Sequence, residues 1–461
     1  MSESLPKNPE HSKPPWVLLL SIGAVILLAL ILLWHQHRQD RATRELTQKL
    51  DAIKAQGYPT SPGELDAWYT EPPTGQNAAT IYGQAFSQMT PQSQTLPWYY
   101  SGTSSNIFNR TNPITPAAQA ELASLVVSNQ SALQLLHDGG KLPGTRYPVN
   151  LSAGHNTLLP HLSQLREATR LLSAEALGHA LSDQSEAAID SLVAAMRLGH
   201  SLSHEPVFIS YLVQVANYTL TVNALENILN RRSIPEMYLI DLDAELIKAE
   251  NSLHLTRALA GERSISIGHF DNPFSLANGG GSVSTSEAFA ASAYKLSGLQ
   301  HSDFSTYLEF MDKGLAASQL PLAERVPAFN QIDQDLENRI SQGRWRMLFT
   351  SMMIPALSKS GEKSVAVVAH LRLARLAIML LSYQAEHDGK LPAKLDELTV
   401  VPLDPFDDKP LRYRQTETGF LIWSIGPDEI DQNGQPRSRN SSEQAYDLLF
   451  TIERLKTDTN K

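Results

Sequence analysis

The sequence predicts a mainly α protein: an N-terminal transmembrane helix, an α-helical hairpin or solenoid-like body, and a small C-terminal antiparallel β lobe packed on a long helix. Three observations lead there. Residues 16–33 are apolar, carry no charge or proline, and are closed by Trp34. From Thr115-Pro116 onward apolar residues recur at helical spacing. After Pro392 that spacing gives way to short β-type runs separated by turns.

The apolar run reads as a retained anchor. At about 1.5 Å per residue it makes a rod of roughly 28 Å, close to the hydrocarbon thickness of a bilayer. Trp16 and Trp34 stand where an aromatic belt places them. A cleaved signal has a shorter apolar core and small residues behind it; here Leu33-Trp34-His35-Gln36-His37-Arg38 follows. A buried core helix is usually shorter and keeps a polar face.

Orientation rests on opposed observations. Lys7 and Lys13 precede the span, while Arg38, Arg41, Arg44 and Lys49 follow it. That count favours a cytoplasmic C-terminal side. Against it stand the N-terminal position of the anchor, the indifference of long translocated domains to charge, and the absence of cysteine, which fits an oxidising space. The expectation is a single-pass membrane protein with its C-terminal domain extracytoplasmic.

At 461 residues, 42% hydrophobic and 19% charged, the chain has enough apolar mass for a sizeable core. A net charge of −10 and the lack of a basic, aromatic-laced stripe argue against a nucleic-acid partner. The expected organisation is a disordered tail at 1–15, an anchor at 16–34, a stalk helix and loop-rich linker at 35–114, an α-helical body at 115–360, and a long helix plus β lobe at 361–461.

The elements follow from local chemistry. A stalk helix leaves the membrane and ends at Gly57-Tyr58-Pro59. Ser61-Pro62-Gly63-Glu64 starts a short helix, and Asn77 caps another through about Met89. Residues 90–112, polar and bearing Trp98-Tyr99-Tyr100, read as a surface loop. Thr115-Pro116 opens a helix to about His137, stopped at Gly139-Gly140. Helices at 160–181 and 184–203 carry Leu165, Ala168, Leu172 and Ala176, then Ile189, Leu192, Val193 and Met196. The tight Ser182-Asp183 link makes them an antiparallel hairpin. Further helices are expected at 207–230 and 235–259. A flexible glycine-rich loop follows at 271–286, then helices at 302–316, 327–343, 345–354 and 363–387. His137-Asp138-Gly139-Gly140-Lys141-Leu142-Pro143 is echoed by His387-Asp388-Gly389-Lys390-Leu391-Pro392, each a helix stop. In the lobe, Leu395-Asp396-Glu397-Leu398 makes a helical turn, residues 411–414 and 420–424 pair as strands around a turn, and residues 446–451 close the sheet.

The C-terminal series carries a resemblance. A long helix leads to Lys390-Leu391-Pro392 and Leu395-Asp396-Glu397-Leu398; then come Asp404-Pro405-Phe406, Leu411-Arg412-Tyr413-Arg414 and Trp423-Ser424-Ile425-Gly426 with an acidic, glycine-bearing loop. Residues 363–451 thus resemble the globular lobe of the major pseudopilin of type II secretion systems. The helical part is similar to membrane-anchored bacterial proteins that end in such a lobe. The departures are clear: the apolar segment begins Pro14-Pro15-Trp16-Val17-Leu18, without a prepilin-peptidase site or the pseudopilin Glu, and hundreds of residues separate anchor from lobe. Processing into a filament subunit is therefore not expected.

The resemblance implies a calcium site in the acidic loop. Asp428, Asp431 and Asn433 offer hard oxygen donors of the kind Ca²⁺ takes, Gly434 permits a tight turn, and Asp447 resembles the later aspartate that returns to the loop. The spacing is not that of an EF-hand, and the same residues also read as a solvated acidic turn.

Catalytic signals are sparse. His200 and His204 lie four apart on one helical face before Glu205, a spacing that suits zinc, but the order is not H-E-x-x-H. Ser360-Gly361-Glu362-Lys363 fits S-x-x-K without an S-D-N partner and reads as a helix start. Gly261-Glu262-Arg263 reads as an internal ion pair or cap. No G-x-S-x-G, P-loop or Rossmann fingerprint is present. Two readings follow. One is a non-enzymatic scaffold or interaction module of the bacterial envelope, tethered through 16–34, with envelope proteins as partners and no small-molecule cofactor. The other is an envelope hydrolase or metal-dependent enzyme with an unrecognised site in the helical body, for which His200, His204 and Glu205 are candidates.

Overall fold

The computed structural model describes residues 15–90, 114–267, 297–343, 346–435 and 446–454, with isolated positions between 289 and 294. The expected tail up to residue 14, the aromatic loop from residue 91 and the glycine-rich loop at 271–286 lie outside the described residues.

Helix α1 (Pro15–Ala55) runs unbroken for 41 residues, so the apolar run and the stalk are one rod. Its described apolar side chains from Leu20 to Leu33 are 48–65% exposed. At the other end Leu46, Leu50 and Ile53 pack against the body, and Lys49 Nζ donates to Ser305 Oγ at 2.7 Å. Gly57, at φ 81°, turns the chain away.

Capping sets the next elements. In α2 (Pro62–Trp68) the Ser61 hydroxyl accepts from Glu64 N, and in α3 (Ala78–Gln88) the Asn77 side chain accepts from Ala79 N. The single helix expected from residue 116 to about 137 is two, α4 (Pro116–Ser128) and α5 (Gln130–Gly139). Asn129 divides them: its Oδ1 accepts from Thr90 N at 2.8 Å, and its Nδ2 donates to Leu125 O at 2.9 Å. A 3-10 segment (Leu151–Asn156) leads to the α6 (His161–Leu181) and α7 (Ser185–His200) hairpin, turned at Asp183 with φ 58°.

After α8 (Phe208–Arg231), the helix expected through residue 259 is again two, α9 (Glu236–Asn251) and α10 (Leu255–Ile267). The break falls at Ser252, whose hydroxyl bonds the Tyr218 hydroxyl at 2.7 Å and accepts from Gln214 Nε2 at 3.1 Å. Both partners are on α8. Next come α11 (Leu299–Ser318) and α12 (Leu322–Ser341). Helix α12 starts one turn before the expected Pro327, which lies inside it. The two helices expected at 345–354 and 363–387 are one, α13 (Leu348–Glu386). Gly361 lets it cross α12: a Cβ there would sit 2.3 Å from the Phe329 ring.

Helix α13 packs on α8, α9, α11, α12 and the sheet. A solenoid repeat touches only its neighbours, so the body departs from the expected solenoid stacking, although the α6–α7 hairpin is present. By length and hydropathy α13 also qualifies to cross a membrane, yet 67% of its apolar window is buried within the fold. The sheet is antiparallel, in the order β1 (Arg412–Thr416), β2 (Gly419–Ser424), β3 (Leu448–Glu453). Ile422 stands opposite Tyr413 on one side and Phe450 on the other. The outer edge of β3 is satisfied by α8: Asn230 donates to Thr451 O and accepts from Glu453 N, both at 2.7 Å, and Glu226 accepts from Thr451 N. One apolar cluster runs from α2 through α13 to the sheet; a second joins the end of α1 to α10–α13.

Candidate functional site

The acidic loop hangs between β2 and β3. Glu429 and Asn433 both take φ 58°, followed by Gly434 at 78°. Asp447, nearly fully buried, holds the loop from behind. Its Oδ2 accepts from Gly434 N at 2.7 Å and Gln435 N at 3.2 Å, and its Oδ1 accepts from Gln432 N at 3.3 Å. Asp431 Oδ1 accepts from Trp423 Nε1 and Asn433 N, both at 2.9 Å, and Oδ2 lies 3.6 Å from Arg412 Nε. Asp428 Oδ2 accepts from Gln432 Nε2 at 2.5 Å. The Asn433 carbonyl accepts from Arg414. Thus Asp431 and Asp447 are brought onto one short loop, with Asp428 tied to it through Gln432.

Electrostatics separate these carboxylates. Burial pushes Asp447 up, and the nearby Asp431 adds to the rise against the pull of three amide donors. Burial also raises Asp431, but the Trp423 and Asn433 donors and the Arg412 charge outweigh it and leave the carboxyl below its usual range. Among the described residues no group of three or more His, Asp or Glu side chains converges as a metal centre would require.

The expected His200, His204 and Glu205 grouping is divided. His200 closes α7 and lines a cleft of about 470 Å³ with Arg197, Lys248 and Glu245. His204 faces His254, ring centroids 5.8 Å apart. Burial first, then neighbouring positive charge, lowers His200, His204 and His254 below the ordinary imidazole range. Glu205 turns the other way, into the core. Ser360 and Lys363 lie within α13 rather than at a helix start.

Sequence reasoning missed what Glu205 does. Its carboxylate, fully buried, lies 3.1 Å from His161 Nε2 through both oxygens. It also accepts from Ser210 Oγ at 2.5 Å and from the Tyr69 hydroxyl at 3.2 Å. Tyr147 stacks on His161 at 4.3 Å, donates its backbone N–H to the Tyr69 hydroxyl, and bonds Ser201 through its own hydroxyl at 2.7 Å. Six residues from five chain segments form one closed polar network. The network reaches a cleft at Ser201, and it locks α2, the 3-10 region, α6, α7 and α8 together. The only local signal was a Glu-Pro step just past a helix end.

No known protein family, no curated protein and no solved structure matches this chain.

Proposed function

We propose that this protein is a membrane-tethered, extracytoplasmic scaffold or protein-interaction module of the bacterial envelope. The observation that carries it is the bare apolar stretch of α1. Leu20, Ile22, Val25, Ile26, Leu27, Leu30 and Leu33 are exposed at positions that run around the helix. Hydrocarbon would cover them, whereas water would not. The same rod continues into a stalk held to the body by Ile53 and Lys49, so the anchor would present the whole helical fold near the bilayer surface.

The side of the membrane is tested by protease accessibility of a C-terminal tag in intact and lysed spheroplasts. Cleavage in intact spheroplasts supports an extracytoplasmic body. Protection until lysis places it in the cytoplasm, as the count of Lys and Arg would have it.

Calcium at the lobe is the second part of this reading. Asp428, Asp431, Asn433 and Asp447 have the oxygen chemistry that Ca²⁺ takes and lie on or against one loop. Each of the three carboxylates already accepts a protein hydrogen bond. The loop therefore keeps its shape by itself, and a bound cation would supply added rigidity rather than the fold.

A further inference from the structure

Helix α9 has two apolar stripes and the fold uses one. Leu239, Leu242, Leu246 and Ala249 are buried. Met237, Ile240, Ala244 and Ile247, spaced three, four and three apart, face outward, with Met237 69% and Ile240 63% exposed. That spacing is the seam a second helix reads. Beside the stripe lies a groove of about 680 Å³ between α9, α13 and residues 397–400, floored by Leu239, Ile240, Ile378 and Met379. Val400 on its far wall is 63% exposed.

The groove is acidic. Glu236, Asp243, Glu386 and Glu397 line it, and no lysine or arginine stands among its lining residues. Asp243 is offset by Arg375 at 2.9 Å, and Glu397 accepts from the Tyr383 hydroxyl. Glu236, in the first turn of α9, and Glu386, in the last turn of α13, are exposed and stand at the same end of the groove. An apolar floor with this rim selects against an acidic occupant.

We infer that this groove docks a helix of a partner protein bearing aliphatic residues at three-and-four spacing flanked by lysine or arginine. The inference rests on the scaffold reading and names the partner's chemistry. It is tested in the full-length chain in native membranes, with p-benzoylphenylalanine replacing Ile240 and, in a separate strain, Leu158, which is 81% exposed in the loop before α6. The crosslinked segment is then sequenced. The expected result is a basic, aliphatic helix at position 240, with the yield reduced at least tenfold by E236K together with E386K. A captured segment without basic residues, capture of this same chain, or a yield indifferent to charge reversal overturns the inference. Capture of another protein from position 158 with none from 240 also overturns it while leaving the scaffold reading standing. Silence at both positions removes the scaffold reading and the groove with it.

Discussion

The Asp404 carboxylate lies 2.5 Å from Arg412 Nη1, and the two fasten the start of the β lobe to its centre. Asp404 is fully buried. Its Oδ1 accepts from Ser424 Oγ at 2.8 Å and Phe406 N at 3.1 Å, and its Oδ2 from Ile425 N at 2.9 Å. Arg412 reaches onward to Asp407 at 2.6 Å and towards Asp431 at 3.6 Å. One buried carboxylate thus joins the 404–406 turn, the first strand and the end of the second.

Removing that carboxylate strands three buried donors and leaves Arg412 to Asp407 and Asp431. Asp404→Ala is expected to lower stability by about 3 to 5 kcal/mol, the range for breaking one side of a buried pair. Asp407→Ala, whose partner keeps Asp404, should cost clearly less. Urea unfolding followed by tryptophan fluorescence checks both. Equal, small losses would show that the lobe does not depend on the Asp404 contacts.

Two glycines predict opposite signs. A Cβ on Gly261 would sit 1.7 Å from the Pro206 carbonyl oxygen, where backbone meets backbone. Gly261→Ala should destabilise by about 1 to 3 kcal/mol or more, because α10 must move off the 206 segment. Gly63 lies inside α2 with nothing within 4 Å of its would-be Cβ. Gly63→Ala should stabilise by about 0.4 to 1 kcal/mol through the unfolded chain. Thermal melts of the two variants beside the parent decide the matter.

The same contacts explain what was legible. The α6–α7 hairpin, the caps at Ser61, Asn77 and Thr115, and the β1–β2 hairpin rest on neighbouring residues, and a sequence displays neighbours. The breaks at Asn129 and Ser252 depend on Thr90, Gln214 and Tyr218, which are distant in the chain. Conversely, Gly361 reads as a helix boundary until Phe329 is seen packed against it. The acidic loop was visible because Asp428, Asp431 and Asn433 are close in sequence. The Glu205 network was not, because Tyr69, Tyr147, His161 and Ser210 meet it only in the folded chain.

Glu262 makes stability depend on pH. Burial raises its carboxyl from 4.5 to about 7. Between those values the folded chain holds a proton that the unfolded chain has released. The contribution is therefore fully present below about pH 4.5 and lost as pH rises to about 7. Glu262 keeps some contact with solvent, so roughly 1 to 2 kcal/mol is expected, less than a fully dry site would give. Glu262→Gln should flatten that part of the profile and exceed the parent in stability at pH 8. Denaturation midpoints from pH 4.5 to 8 measure it, and parallel profiles would remove the assignment.

Calcium is expected to act on the lobe as a modest stabiliser. Asp447 already ties Gln432, Gly434 and Gln435 through their amides, so the loop does not wait for an ion to fold. Asp428 and Asp431 carry the charge that a cation would gain from. Binding to the folded state alone adds stability as the logarithm of ligand over dissociation constant, about 2.7 kcal/mol at a hundredfold excess. The melting temperature should therefore rise with millimolar CaCl2 and fall back with EGTA, while the Asp428→Asn, Asp431→Asn double variant stays flat. Asp447→Asn tells a different story: it weakens the amide clasp and should lower the melting temperature with or without calcium. A rise that survives the double variant places the ion elsewhere, and no rise in the parent leaves the loop as an amide-held turn.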